Sequence, residues 1–262
     1  MVEKRFENQV VMITGAAGGF GAAAAKRFAA GGAALVLSDL DKPGLDATAA
    51  ECRNMNINLV AEVVDITSER QVIAHIEHAR AELGDPTICV NNAGIGQSLV
   101  PIQNTDADEF DRVMAVNSRS VFLCLKHQIP AMIAARSGAI LNVASAAGVI
   151  GAGHMAAYAA SKHAVVGLTR STADEVARFG VRVNALCPSF APTKLFNDMA
   201  DEIGARHGES RNAAYHRTTS RIPMRRLATI DEVVQAMLWA CDPANSFMTG
   251  QTISIDGGLT AI

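Results

Sequence analysis

The glycine cluster Thr14-Gly15-Ala16-Ala17-Gly18-Gly19-Phe20-Gly21 lies directly between the apolar run VVMIT, Val10 to Thr14, and the alanine-rich stretch AAAAKRFAA. Strand, tight turn and helix in that order open a βαβ unit. Apolar runs of strand length recur at Ala34 to Asp39, Leu59 to Val64, Ile88 to Asn91, Ala139 to Val143, Arg182 to Leu186 and Thr252 to Ile255, with longer segments of helical period between them. All but the last are almost continuously apolar, as parallel strands covered on both faces should be. The spacing predicts an α/β chain with a Rossmann-like, doubly wound, seven-stranded parallel sheet and helices on both faces.

The 262 residues, 49% of them hydrophobic, suffice for one sizeable core, and neither linker nor repeat divides them, so one domain is expected. Aromatics make up only 5% while glycine numbers 21, which suits close helix–sheet packing rather than a β-sandwich. A net charge of −3 leaves no electrostatic footprint for nucleic acid. The opening MVEKRFENQVVMITG has no apolar signal region. Ser137 to Ser161 lacks charged residues, but it is too rich in Gly, Ala and Ser to read as a membrane span. A cytoplasmic protein with a small-molecule partner is expected, and five dispersed cysteines without CxxC spacing read as reduced thiols. Ser68 with Gln71, and Thr229 with Glu232, read as helix starts with reciprocal caps. The polar stretch at about 194–226, broken by Gly204, Gly208 and Pro223, reads as a substrate lid or a disordered loop.

The glycine turn has a chemical reading. Gly15 permits the turn, and Gly19, Phe20 and Gly21 bring backbone close to a pyrophosphate at the positive end of the following helix. The second strand ends at Asp39, followed by Leu40. A carboxylate there accepts from both ribose hydroxyls of NAD and repels the 2′-phosphate of NADP, and neither Ala16, Ala17 nor Leu40 supplies a basic group to neutralise it.

Ser145 follows the fifth strand, and Tyr158 and Lys162 are spaced i, i+4, on one face of a helix. A phenol of pKa near 10 needs roughly 4 kcal/mol to be half ionised near pH 7. An ammonium about 4 Å away, at an effective dielectric near 20, supplies about that much. The pair therefore reads as a tuned acid/base with its charge partner, and Ser145 as an oxyanion donor. Ser145 lacks the GxSxG elbow of a hydrolase.

These motifs together resemble the short-chain dehydrogenase/reductases: Thr14-Gly15-xxx-Gly19-x-Gly21, Asn91-Asn92-Ala93-Gly94, and Tyr158-xxx-Lys162 with Ser145 thirteen residues earlier. The resemblance implies that Asn117 completes a catalytic tetrad with Ser145, Tyr158 and Lys162. It implies that Asp65 and Ile66 contact the adenine, that Asn91, Ala93 and Gly94 wall the ribose, and that Pro188, Ala191 and Thr193 hold the nicotinamide end. It further implies a homotetramer. Two positions depart from the family pattern: Ser189 replaces a common glycine, and Gly18 stands where serine is common.

The expected activity is NAD-dependent interconversion of a secondary alcohol and a ketone, on a hydrophobic, aromatic or alicyclic substrate. Ser145, Ala147, His154, Ser189, Phe190 and Leu195 are the candidate substrate residues, with Ile95, Gly96, Gln97, Met155, Phe196 and Met199 nearby. Alternatives are a 3-oxoacyl-carrier or steroid reductase of the same fold, or an NAD-binding sensor or scaffold without chemistry. The stretch at 194–226 also carries Arg206, Arg211, Arg217, Arg221, Arg225 and Arg226, which read as a solvated face or as a site for an acyl carrier or carboxylate. His75 and His78 read as an exposed helix face, and no metal is expected.

Overall fold

The computed structural model describes residues 4–261. Seven parallel strands form one sheet: β1 Val10–Thr14, β2 Ala34–Asp39, β3 Leu59–Val63, β4 Ile88–Asn91, β5 Gly138–Val143, β6 Val181–Pro188 and β7 Thr252–Ile255. Their spatial order is β3-β2-β1-β4-β5-β6-β7, so the winding reverses between β1 and β4. Crevices for ligands open beyond the carboxyl ends of the strands at such a reversal.

Alternate strand residues face opposite layers, as the two-residue period of a strand requires. Val11, Ile13, Leu35, Leu37 and Leu141 pack on one side with α1 Gly19–Ala30 and α9 Ile230–Cys241, through Phe28, Val233, Val234 and Met237. Met12, Val36, Cys89, Ile140 and Val183 pack on the other with α3 Glu69–Leu83, α5 Ser120–Ala135 and α6 Ala156–Val176. Small residues on α1, Ala24, Ala25 and Ala29, let it lie close to the sheet. The remaining helices are α2 Lys42–Arg53, α4 Ala107–Met114, α7 Lys194–His207 and α8 Arg211–Thr219.

Thr229 and Glu232 form the reciprocal cap expected at the start of α9. The cap expected from Ser68 is not made. The Gln71 side chain instead accepts from the Asp65 amide at 2.8 Å, and Asp65 holds the turn by accepting from the Thr67 amide and hydroxyl at 2.9 and 2.7 Å. The segment expected to be a lid or a disordered loop contains two helices, α7 and α8, joined by Tyr215 packed on Phe196 with ring centres 5.1 Å apart. His75 is buried rather than exposed. Its Nδ1 and that of His78 meet the two oxygens of Glu62 at 2.6 and 2.9 Å. Among the described residues, no group of three or more His, Cys, Asp or Glu side chains is arranged to hold a metal.

All five cysteines are buried and free. Burial pushes the thiols of Cys52 and Cys187 up to about 11 and those of Cys124 and Cys241 up to about 12, which makes them packing groups. No helix among the described residues is long and apolar enough to cross a membrane.

Candidate active site

A cavity of about 500 Å³ runs along the carboxyl ends of β2, β1, β4, β5 and β6. Its floor at one end is the glycine turn. Gly15 has φ +71, and a Cβ on Gly21 would lie 2.0 Å from the Gly15 carbonyl oxygen, so side chains are excluded from this crossing. The helix α1 begins there without a side-chain cap and without an acidic residue in its first turn, leaving its amides to an outside acceptor.

The Asp39 carboxylate lines the same end. One oxygen accepts from the Ala17 amide at 2.9 Å and the other from the Asp41 amide at 3.0 Å. Asp39 thus secures its own turn and the glycine loop, while each oxygen keeps further acceptor capacity. An uncapped helix terminus beside a glycine cradle, and a ribose-type carboxylate at the end of β2, fit a dinucleotide.

Toward the other end, β5 delivers Ser145 and α6 delivers Tyr158 and Lys162 into the cavity wall. The Ser145 oxygen accepts from the Ala147 amide at 3.2 Å, which leaves its own hydrogen free to donate. Lys162 Nζ donates to the Val143 carbonyl at 3.0 Å and lies 5.6 Å from the centre of the Tyr158 ring. Within the protein alone, burial pushes the Tyr158 phenol above its ordinary value, and the Ser145 hydroxyl pulls the other way. Burial lowers the Lys162 ammonium to about 8. The depression of the phenol expected from Lys162 is not seen: desolvation sets the direction, opposed only by the Ser145 hydroxyl.

Asn117 is fully buried within a π-helical turn, Ala115–Arg119, between α4 and α5. Its amide accepts from the Ile95 N–H at 2.8 Å and donates to the Ile95 carbonyl at 2.9 Å and the Ser161 hydroxyl at 3.1 Å. A Cβ on Gly94 would lie 3.2 Å from Asn117 Oδ1 and 3.3 Å from Lys162 Nζ, so Gly94 separates these two side chains closely.

Of the other expected site residues, Gly19, Phe20, Leu40, Ile66, Ala93, Pro188, Ala191 and Thr193 line the cavity, as do Ala147, Ser189, Phe190 and Leu195. Three expected cofactor residues do not. Gly21 is buried beneath the loop. Asp65 turns into its own loop. Asn91 is buried and donates to Gln128 and Asn142 at 3.2 and 2.9 Å, because it faces the helix layer while its neighbour Asn92 lines the cavity. His154 is exposed on a turn with φ +64 and does not reach the cavity. Sequence reasoning missed Asp41, Asn92, Val116, Ile150 and Leu259 on the wall. Asn92 lies inside the Asn91–Gly94 motif but was given no role there, whereas Leu259 is brought in only by the turn after β7.

Comparison with known proteins agrees over nearly the whole chain. The family model described as enoyl-(acyl carrier protein) reductase matches residues 15–260. The chain is 36% identical over 257 residues to cis-4-hydroxycyclohexanecarboxylate dehydrogenase of Sinomonas cyclohexanicum, with 98% of each covered. The crystal structure of levodione reductase matches with a TM-score of 0.94 at 33% identity, covering 98% of this chain and 99% of that one. The crystal structure of an NAD⁺-bound xylitol dehydrogenase gives 0.92 at 32% identity, covering 97% and 99%.

Proposed function

The chain belongs to the short-chain dehydrogenase/reductase family, and on that premise we propose that it interconverts an alicyclic or otherwise apolar secondary alcohol and its ketone, using NAD. The observation that carries this reading is one continuous cavity shared by the glycine turn, Asp39, Ser145, Tyr158 and Lys162. The relatives' names, a hydroxycyclohexanecarboxylate dehydrogenase and a levodione reductase among them, support a ring-bearing substrate.

Gly15, Gly19, Phe20 and the start of α1 would hold the pyrophosphate, Asp39 the adenosine ribose, and Pro188, Ala191 and Thr193 the nicotinamide end. NAD when bound supplies the hydride acceptor for the carbinol carbon. Tyr158 takes the hydroxyl proton at its phenolic oxygen, or returns it to the ketone oxygen. Its raised pKa suits the second direction. Ser145, with its oxygen engaged by the Ala147 amide, directs its hydrogen at the substrate oxygen. Lys162 stands as the nearby ammonium that stabilises a phenolate, and Asn117 positions the Ile95 segment beside it. The apolar wall around these groups, with Phe190, Leu195, Phe196 and Met199, excludes water.

Asp39 favours NAD over NADP, which weighs against an acyl-carrier reductase that uses NADPH. The same reading takes α7 and α8 as the substrate cover and the protein as cytoplasmic. It also takes the protein as a homotetramer, with the half-exposed Phe110 and Phe122 on α4 and α5 as apolar surface for assembly. Sedimentation as a monomer at micromolar concentration would remove the tetramer alone.

Purified protein with NAD should form NADH from alicyclic alcohols, screened against aliphatic, benzylic and steroidal ones. Tyr158→Phe should lower kcat by at least about a hundredfold. NAD binding without turnover of any alcohol would favour a sensor, and near wild-type turnover by Tyr158→Phe would remove the proton-transfer role.

A further inference from the structure

We propose that Arg221 binds an anionic group on the substrate, a carboxylate or sulfonate remote from the carbinol carbon. This rests on the alcohol–ketone reading of the same cavity and adds a charge requirement to it.

Charged side chains on the cavity wall are few: Asp39 and Asp41 at the β2 end, Lys162 beside Tyr158, and Lys194 and Arg221. Lys194 is neutralised by Asp198 at 2.6 Å. The other arginines of the 194–226 stretch are also engaged. Arg206 pairs with Glu202, Arg211 with Asp201, Arg217 with Glu209 and Arg226 with Glu232, while Arg225 donates to the Ser220 carbonyl. Among the described residues the Arg221 guanidinium makes no such contact, and it alone of the six arginines lines the cavity.

Its position follows from the sheet. Residues 221–224 sit on the turn after β7: the Met224 amide donates to the Gly257 carbonyl at 3.1 Å, and a Cβ on Gly257 would lie 2.7 Å from Ile222 Cγ2. β7 is two strands from β5, which carries Ser145, or about 10 Å. It is five strands from β2 and Asp39, about 24 Å. Arg221 therefore stands at the substrate end and far from the adenosine ribose. Met155, Leu195, Phe196 and Met199 supply an apolar wall to the same cavity, which suits a hydrocarbon ring. The planar guanidinium fork matches the oxygens of a carboxylate or sulfonate. Arg221 is itself exposed, so it sits at the mouth and a moderate effect is expected.

The test uses the enzyme with NAD and three probes: cis-4-hydroxycyclohexanecarboxylate, the matching sulfonate, and the neutral carboxamide. Wild type should prefer an anionic probe over the amide by about tenfold in kcat/KM, chiefly through KM. The two anionic arms decide between carboxylate and sulfonate. Arg221→Gln should bring the ratio of anion to amide near one, and Arg221→Lys should restore part of it. No preference in wild type, or a preference that survives Arg221→Gln, overturns the inference. A parallel loss of NAD affinity in Arg221→Gln also overturns it, since that assigns the cation to the cofactor. If none of the probes turns over, calorimetry of 4-oxocyclohexanecarboxylate with the enzyme–NAD pair reads the site without chemistry. Binding lost in Arg221→Gln then upholds the anion site while the alcohol–ketone reading fails, and no binding to wild type overturns it.

Discussion

Lys162 Nζ stands 5.6 Å from the centre of the Tyr158 ring, one turn along the same buried face of α6, and donates to the Val143 carbonyl. Burial lowers this ammonium from 10.5 to about 8, a cost to the folded state of roughly 3 kcal/mol at neutral pH. The charge is kept where packing alone would have chosen a hydrocarbon.

Lys162→Met should therefore raise stability while abolishing turnover. Relief of the buried charge is opposed by leaving the Val143 carbonyl unbonded, about 1–3 kcal/mol, so a net gain near 1 kcal/mol is expected at pH 7. The folded pKa lies below the unfolded one, so this group's penalty is full below about 8 and fades as pH rises toward 10.5. Denaturant titrations at pH 7 and pH 10 should show the gain shrinking, and a variant less stable than wild type at pH 7 would contradict the account.

Asp39→Arg should move cofactor preference toward NADP. The change removes a carboxylate from the ribose end and supplies a guanidinium for a 2′-phosphate. It also removes the acceptors for Ala17 and Asp41, so some loss of overall activity accompanies it. The ratio of kcat/KM for NADP over NAD should rise at least about tenfold, or about 1.4 kcal/mol. An unaltered ratio would take the ribose role away from Asp39.

Gly21→Ala should cripple the glycine loop. The added methyl would lie 2.0 Å from the Gly15 carbonyl oxygen, a backbone atom that moves only with the whole turn. A destabilisation of about 1–3 kcal/mol is expected, together with weakened NAD binding. Calorimetric binding and a chemical melt on one preparation check both. Gly18→Ala is the control, because a Cβ there meets nothing within 4 Å.

Acid should destabilise the protein in two stages. His75 is held below 6.5 by burial, against the opposing pull of Glu62, and among the described residues its Nε2 has no hydrogen-bond partner to receive a second N–H. The unfolded chain takes up that proton and the folded chain resists it, so stability is lost as pH falls below 6.5. Burial opposes ionisation of Glu62, but hydrogen bonds from His75 and His78 outweigh it and hold the carboxyl below 4.5, which adds a second loss below that pH. Melting temperatures between pH 8 and pH 5 should fall less steeply in His75→Gln, and identical slopes would exclude His75 as the source.

Where the sequence was readable, one local physical rule decided the outcome. Two-sided burial made β1, β2 and β4 plain apolar runs at their observed limits, and the Thr229–Glu232 cap needed only residues three apart. Ser68 offered the same local pattern, but Asp65 and Gln71 competed for the turn and won it. Asn91 and Asn92 differ by one position and so face opposite ways, a distinction fixed by strand register rather than by residue type. The six arginines of 194–226 look alike in sequence. What separates Arg221 is the pairing of its neighbours, such as Arg211 with an Asp201 ten residues away, which exists only once α7 and α8 have folded together.

The proposed acid/base pair is rooted in α6 and its serine at the end of β5, whereas much of the opposing wall belongs to α7, which carries its own contacts through Phe196 and Tyr215. Chemistry and molecular choice are thus inherited on separate pieces of chain. Exchanging the two small helices for those of another protein of this architecture would retune which alcohol is accepted and leave the proton-handling apparatus intact.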